Sequence, residues 1–252
     1  MIITKIDLFL LDGGDQTSVR KPIGCRVYTD EGIYGDGEAG IALGVGHDAA
    51  FGMLKDYAPR LIGKDPFDNE RIWSELYRET FWALGGGPII YAAISALDIA
   101  LMDIKGKALN VPIYTLLGGK FRSELRCYAS QLQSGWCEQK GPFGKPEEYA
   151  RITKFALSQG YDAVKIDFTY YDENGKKVPK YVSEGILSYE AMRFIEERMA
   201  AVRQECGYDF DIIVENHSRT TYPGAVQMAA LCEKYKCMAL EEPTSPLNPN
   251  LH

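Results

Sequence analysis

Hydrophobic and polar residues alternate with a period of two near the start of the chain. The segments IITKIDLFLL and GCRVYTDEGIYGDGEA follow this period, and residues 30–32 form a turn signal inside the second. Such alternation is typical of strands with one buried face, so it predicts an antiparallel meander.

Three later segments have apolar residues at three- and four-residue steps, as amphipathic helices do: HDAAFGMLKDYAPRLIG, DPFDNERIWSELYRET and PIIYAAISALDIALMDIKGKAL. Asp68 is a candidate helix cap, and Pro112 follows the last helix. We therefore predict an α+β unit over residues 1–122.

A different rhythm begins after Gly118 and Gly119. Short apolar segments alternate with amphipathic ones: LRCYAS, EEYARITKFALSQ, AVKIDF, SYEAMRFIEERMAAVRQE, DIIVEN, PGAVQMAALCEKY and CMALEE. This pattern predicts β/α units around a parallel sheet, either a barrel or a doubly wound sheet, over residues 123–252. The polar stretch TYYDENGKKVPKYVSEG after AVKIDF is predicted to be a long loop between a strand and a helix.

Ionisable residues stand at the ends of three of these predicted strands. Side chains two apart on a strand share a face, so Lys165 pairs with Asp167 and Glu215 pairs with His217. Glu241 closes the next strand. Active sites of α/β barrels lie at the carboxyl ends of the strands. Two carboxylates one βα repeat apart also suit a hard divalent cation such as Mg²⁺, which takes oxygen ligands.

Each of these residues also has a structural interpretation. Glu215 alone could cap a helix, Lys165 alone could be a surface lysine, and His217 alone could be a hydrogen-bonded structural histidine. Their common depth on consecutive strands favours function. We interpret Arg219 as a solvated residue and His47 as a residue near a helix start.

The composition narrows the class of partner. The chain has 252 residues, of which 46% are hydrophobic and 25% charged, and its net charge is −7. It therefore has no basic footprint for a nucleic acid or an anionic membrane, and small molecules are the favoured partners. The start, MIITKIDLFLLDGG, is typical of neither a signal peptide nor a membrane span. Six cysteines without a C-x-x-C spacing indicate reduced thiols and a cytoplasmic protein. No glycine-rich nucleotide-binding motif is present in the sequence.

The segment AAISALDIALMDIKGKALNVPIYTLLGG, residues 92–119, resembles the signature that precedes the barrel in the enolase superfamily, mandelate racemase subgroup. VKID, VENHSR and LEEP fall where that family places its strand-end chemistry. The resemblance implies a capping domain over residues 1–122 and a modified (β/α) TIM-type barrel from residue 123. Four strands cannot close an eight-stranded barrel, so we expect the first half of a barrel within a protein of roughly 400 residues.

The resemblance also implies roles for the strand-end residues. Glu215 and Glu241 match the first two metal-ligand positions, with Mg²⁺ as the cofactor. Racemases of the family often carry Lys-x-Lys, and here Asp167 replaces the second lysine. Glu-x-His is similar to the Asp-x-His of members that dehydrate sugar acids such as galactonate. We therefore expect removal of the proton α to a carboxylate and loss of the 3-hydroxyl, giving a 2-keto-3-deoxy acid. His217 would be the acid or base, and Lys165 an electrostatic partner of the substrate.

Residues that select the substrate are expected mainly in the capping domain. Arg20 and Lys21, in DGGDQTSVRKPIG, and Trp82, in WALGGG, are candidates, together with Asp167 on the barrel side. The alternatives are a racemase or epimerase of a 2-hydroxy acid and a non-catalytic relative. We also expect a homo-oligomer. The third metal ligand and a second acid or base are expected beyond residue 252.

Overall fold

The computed structural model describes residues 1–11, 21–41, 44–179 and 183–247. The chain divides into two compact units, Met1–Ser123 and Glu124–His252. That the first unit caps an active site stays a prediction. Among the described residues, no helix is both long enough and apolar enough to span a bilayer.

The first unit contains the predicted antiparallel meander, followed by helices. Strands β1 (Ile3–Leu10), β2 (Ile23–Thr29) and β3 (Tyr34–Ala39) pair in the order β1-β2-β3. The helices are α1 (His47–Tyr57), α2 (Asn69–Arg78), α3 (Pro88–Leu109) and the single turn α4 (Ile113–Leu116), with short 3-10 helices at Ala58–Leu61, Pro66–Asp68 and Trp82–Gly85. The alternation of apolar residues along β2 buries Ile23, Cys25 and Val27 completely or nearly so. The period-two alternation and the later three- and four-residue spacing therefore predicted the strands and the helices of this unit correctly.

Helix α3 lies directly on β3 because two glycines of the strand leave room for it. A Cβ atom added at Gly35 would stand 2.0 Å from the backbone oxygen of Ala100, and one added at Gly37 would stand 1.9 Å from that of Ala96. Such distances are impossible for real atoms, so only glycine permits this contact between backbones. On the helix side, Ala96 and Ala100 have side chains of a single methyl group, which also allows the close approach.

The helix cap at α2 differs from the prediction. Asp68 stands at the N-cap position of α2, but its side chain makes no capping hydrogen bond. Asp65, at the start of the preceding 3-10 helix, accepts a hydrogen bond from the backbone nitrogen of Phe67 at 2.9 Å. Helical structure therefore begins before α2, with a 3-10 helix that has Pro66 at its first position and is capped by Asp65.

The second unit is built on a parallel sheet with the order β4-β7-β8-β9. Its strands are β4 (Ala129–Ser130), β7 (Ala163–Ile166), β8 (Asp211–Glu215) and β9 (Ala239–Glu241), and β5 (Gly135–Trp136) pairs with β6 (Gln139–Lys140) in a separate hairpin. Helices α5 (Pro146–Ser158), α6 (Tyr189–Cys206) and α7 (Tyr222–Lys234) connect the strands. Each new strand joins the same edge in chain order, as in a barrel, and the described strands show no reversal of the kind found in doubly wound sheets.

A buried arginine fixes the long connection between β7 and α6. Arg198 on α6 is 1% exposed, and its guanidinium donates hydrogen bonds to the carbonyl oxygens of Gly144, Phe168 and Tyr171 at 2.5–2.9 Å. The charge is thus met by carbonyl dipoles. The predicted long loop is confirmed between Ile166 and Tyr189, although residues 180–182 lie outside the described residues.

Candidate active site

The site is assembled by the register of three parallel strands. Glu215 and Glu241, the last residues of β8 and β9, are direct neighbours across the sheet. Lys165 of β7 pairs with Ile213 of β8, which precedes Glu215 by two residues. Since side chains two apart on a strand share a face, Lys165 and Glu215 project from the same side of the sheet. The predicted convergence of these side chains is present in the structure.

Lys165 forms ion pairs with both carboxylates. Its Nζ atom lies 3.1 Å from Oε1 of Glu215 and 3.0 Å from Oε2 of Glu241, and its side chain is only 12% exposed. Burial acts to lower the pKa of Lys165, but hydrogen bonds to Glu241 and Glu215 outweigh it and raise the pKa. The ammonium group is therefore held in its charged form between two acids, and the surface-lysine interpretation does not apply.

His217 lies between two carboxylates. Its Nε2 atom is 3.1 Å from Oε1 of Glu215, and its Nδ1 atom is 3.4 Å from Oδ2 of Asp167. Its pKa is raised, chiefly by the hydrogen bond with Asp167 and further by the charge of Glu215, against a smaller opposing effect of burial. The backbone of His217 has a φ of 51°, in the left-handed region that few residues other than glycine adopt. The turn after β8 thus holds the imidazole over the strand end in a strained conformation.

Asp167 is fully buried and its two oxygens face different partners. Oδ1 accepts hydrogen bonds from the backbone nitrogen and the hydroxyl group of Thr169, both at 2.7 Å, while Oδ2 faces His217. A carboxylate bonded in this way orients the imidazole next to it. The sequence indicated that Asp167 shares a face with Lys165, but the contribution of Thr169 was not predicted.

Two glutamines complete the hydrogen bonding of the site and were missed by the sequence analysis. Gln131, just after β4, donates from Nε2 to Oε2 of Glu215 at 2.5 Å. Gln133 donates from Nε2 to Oε1 of Gln131 at 3.0 Å and accepts from the backbone nitrogen of Asp167 at 3.1 Å. The available signal was the position of QLQ directly after the first strand of the sheet, at the same edge as the other strand ends.

The prediction that Arg219 is solvated was wrong. Its side chain is 3% exposed and donates from Nη2 to the carbonyl oxygen of Val178 at 2.5 Å. Its guanidinium carbon also lies 5.3 Å from the centre of the Tyr170 ring, which is 6.5 Å from the His217 ring. Arg219 therefore ties the β7–α6 loop to the turn that carries His217. Position alone, two residues after His217, could not distinguish this contact from exposure.

Two of the three candidates for substrate binding in the first unit, Lys21 and Trp82, lie within the described residues. Trp82 begins a 3-10 helix and is 81% exposed, and Lys21 is half-buried just before β2. Arg20 lies outside the described residues. The substrate-binding roles of all three stay predictions. His47 is the first residue of α1, which confirms its interpretation as a residue near a helix start.

The two strand-end acids suit part of a magnesium site. Both provide carboxylate oxygens, and the buried Oε2 atom of Glu241 already faces one positive charge, the Lys165 ammonium at 3.0 Å. Carboxylate oxygens are the ligands that a hard cation such as Mg²⁺ prefers. The part of the chain that the structure describes holds no group of three or more His, Cys, Asp or Glu residues placed as metal ligands. The acids thus fit two ligand positions of a site that needs at least one more.

Known protein families match both parts of the chain. The model of the mandelate racemase / muconate lactonizing enzyme N-terminal domain matches residues 17–118, and that of the enolase C-terminal domain-like family matches residues 148–252. A D-gluconate dehydratase of Thermoproteus tenax is 34% identical over 218 residues, which are 86% of this chain and 40% of that protein. A crystal structure from Zymomonas mobilis ZM4 has 51% identity and a TM-score of 0.94, covering 99% of this chain and 63% of that one.

A third relative has been solved with ligands. An enolase from Pantoea ananatis with bound D-gluconate and Mg has 26% identity and a TM-score of 0.79, over 99% of this chain and 61% of its own. The chain thus spans between two fifths and two thirds of the length of these relatives. The two matched domains, in this order and over most of the sequence, establish that the chain belongs to the enolase superfamily, in its mandelate racemase / muconate lactonizing enzyme group.

Proposed function

We propose that this chain supplies the first part of the active site of a Mg²⁺-dependent acid-sugar dehydratase. The reaction removes the proton α to the carboxylate of a sugar acid and eliminates the 3-hydroxyl, giving a 2-keto-3-deoxy acid. The observation that carries the proposal is the position of His217, in the turn after β8, between Glu215 and Asp167. Asp167 directly follows the neighbouring strand β7, where racemases of the family often carry a second lysine. The similarity to a D-gluconate dehydratase supports dehydration in general.

Glu215 and Glu241 would hold the magnesium ion, with further ligands from barrel strands that follow β9. The ion would supply positive charge that stabilises negative charge developing on the substrate carboxylate. Within this chain, Gln131 holds one oxygen of Glu215, and Lys165 bridges the other oxygen to Glu241. These contacts fix the spacing of the two acids before a cation arrives, so little reorganisation is needed on binding.

Lys165 would provide a second positive charge beside the substrate. Its ammonium is held charged between two acids at the strand ends, where active sites of this architecture lie. A fixed cation at that place stabilises a carboxylate that gains negative charge during the reaction. We assign Lys165 this electrostatic role, and assign the transfer of a proton to His217.

His217 would protonate the departing 3-hydroxyl. Its side chain is 38% exposed, whereas those of Glu215 and Asp167 are buried, so among these three it is the one most open to a hydroxyl group of the substrate. Asp167 is bonded to Thr169 and His217, and we therefore revise its role from binding substrate to orienting the imidazole. General acid help to a poor leaving group contributes about 10²–10⁴-fold.

The remaining contacts with the sugar acid would come from Lys21, Arg20 and Trp82 of the first unit. Two basic groups and an exposed indole can bind carboxylate, hydroxyl and apolar faces of a polyol chain. The cytoplasmic location and a homo-oligomeric state are part of the same proposal.

The test is the fate of the substrate in the variant His217→Asn, made in a polypeptide in which this chain is followed by the remaining barrel strands. With D-gluconate in deuterated water, we expect the variant to exchange the α-proton, followed by NMR, while 2-keto-3-deoxy acid falls by at least about 100-fold. His47→Asn, at the start of α1, is the matched control and should keep both activities.

Other outcomes separate the alternatives. Loss of exchange together with dehydration would make His217 the base instead of the acid. An epimer as the product of the unaltered protein, without keto acid, would favour a racemase or epimerase. Absence of Mg²⁺ binding and of turnover on any acid sugar would indicate a non-catalytic relative.

A further inference from the structure

Two cysteines meet at the end of helix α7, on a part of the molecule that the proposed reaction does not use. The backbone nitrogen of Cys237 donates to the carbonyl oxygen of Cys232 at 2.8 Å, and that of Lys236 donates to Glu233 at 3.1 Å. Lys236 has a φ of 48°. These two bonds and the left-handed residue define a Schellman motif, in which the third residue from the helix end and the second residue after the C-cap, here Tyr235, are brought into side-chain contact. Here those residues are Cys232 and Cys237.

The two thiols are in different environments. Cys232 is 7% exposed and belongs to the core of the second unit, whereas Cys237 is half-buried, so one sulfur can be reached from solvent and the other stands behind it. A hydrogen bond from the Cys232 thiol lowers the pKa of Cys237 against the effect of burial, and the Arg203 charge adds to the lowering. The same bond, with burial, raises the pKa of Cys232.

Arg203 is held firmly beside the motif. It is 4% exposed, and its guanidinium donates to the carbonyl oxygens of Tyr235 and Lys236, both at 2.9 Å. A fixed cation one peptide away from Cys237 favours its thiolate form. By contrast, burial raises the pKa of Cys25 in the first unit to about 12, so that thiol should be unreactive.

We propose that Cys232 and Cys237 form a reversible intrachain disulfide and that the end of α7 is a site of oxidative modification, with hydrogen peroxide as the class of oxidant. All six cysteines of the structure are free, so the described state is the reduced one. The motif holds the pair near each other without requiring the helix to unwind.

The chemistry proceeds in two steps. The Cys237 thiolate attacks one oxygen of hydrogen peroxide, the O–O bond breaks, and Cys237 becomes a sulfenic acid while hydroxide leaves and is protonated to water. The Cys232 sulfur then attacks the Cys237 sulfur, the S–S bond forms, and the sulfenic hydroxyl leaves as water with the Cys232 proton. Two thiols thereby lose two electrons and two protons, and one peroxide becomes two waters.

The bond would tie α7 to the strand that carries Glu241. The backbone nitrogen of Met238, one residue after Cys237, donates to Ile212 of β8 at 2.8 Å, and β9 begins at Ala239. The crosslink therefore joins the end of the helix to the amino-terminal end of β9. The strand-end acids lie at the opposite, carboxyl end of the strands.

The sequence makes the test direct, because Lys234 and Lys236 lie between the two cysteines. The chain is treated with hydrogen peroxide, free thiols are blocked with N-ethylmaleimide, and trypsin then separates the peptide 220–234 from the peptide that begins at Cys237. We expect mass spectrometry to find these two peptides joined, to account for most of the Cys232 signal, and to separate after reduction with dithiothreitol.

Two variants assign the steps. In Cys232→Ala, Cys237 should remain a sulfenic acid that dimedone captures, and in Cys237→Ser the joined peptides should be lost while Cys232 stays alkylatable. Cys127→Ser, at an exposed cysteine, is the control and should not change the joined pair. Circular dichroism of each variant verifies its fold. Recovery of Cys232 and Cys237 as alkylated thiols, at a peroxide dose that oxidises Cys127 and Cys137 of the unaltered chain, would overturn the proposal, as would joining of Cys237 to another cysteine.

Discussion

The contact between α3 and β3 in the first unit and the strand ends of β7, β8 and β9 in the second are both tightly built, but by opposite means. At the first contact, side chains are absent: Gly35 and Gly37 let the backbone of the strand touch that of the helix. At the strand ends, charged side chains are packed together, with Lys165 between Glu215 and Glu241. Adding one carbon should therefore damage the first region, and removing one charge should damage the second.

The largest effect is expected from the two strand-end acids. Glu215→Gln and Glu241→Gln each remove a charge from the proposed cation site, so Mg²⁺ affinity should fall at least about tenfold, and turnover in a completed barrel at least about 10³-fold. Isothermal titration with MgCl₂ measures the first effect. Glu233→Gln, on the exposed face of α7, is the matched control. Unchanged affinity in both site variants would remove the ligand assignment.

The counterpart in the first unit is Gly37→Ala. The new Cβ atom would overlap the backbone oxygen of Ala96, so α3 must move away from β3 and the core loosens. We expect the free energy of unfolding of the first unit to fall by about 3 kcal/mol, measured by urea denaturation. Gly40→Ala supplies the control, because no atom lies within 4 Å of a Cβ there. An equal loss in both variants would show that conformational preference matters more than the close approach.

Lys165→Met tests the charged region from the opposite direction. Without the ammonium, Glu215 and Glu241 repel each other, so the metal-free chain should lose about 2 kcal/mol of stability, and MgCl₂ should restore more stability than in the unaltered chain. In a completed barrel, kcat and kcat/KM should fall together if Lys165 stabilises charge in the transition state. Lys154→Met, on an exposed face of α5, is the control. A rise in KM alone would limit Lys165 to holding the substrate.

The two regions also differ in how far the sequence could predict them. Helix α3 was predicted residue for residue from its apolar spacing, and the glycines of β3 were visible in the sequence. Strand alternation predicted that Glu215 and His217 lie close together, and they do, at 3.1 Å, although β8 ends at Glu215 and a turn carries His217. Both cases rest on local geometry.

The sequence could not predict side-chain contacts between residues that are far apart along the chain. The sequence predicts a solvated Arg219, yet the β7–α6 loop covers it, and Gln131 lies 84 residues before the acid it contacts. Likewise, Asp68 has the residue type of a cap, but the 3-10 helix started by Asp65 and Pro66 changes where the backbone needs one. Polar residues in loops have many possible partners, and only tertiary structure selects among them.

Gln131 offers the smallest and most selective test of the charged region. Its amide is the donor to the one oxygen of Glu215 that Lys165 does not contact, and Gln133 holds the amide in place from its other end. Gln131→Leu should therefore leave a buried carboxylate oxygen without that donor and lower the stability of the metal-free chain by about 1–2 kcal/mol. Gln159→Leu, at the exposed end of α5, is the matched control. If Mg²⁺ binds Glu215, saturating MgCl₂ should recover much of the loss in Gln131→Leu and none in the control, as measured by thermal unfolding. A loss that Mg²⁺ leaves unchanged would mean that Gln131 supports the loop after β4 and has no part in presenting Glu215 to a cation.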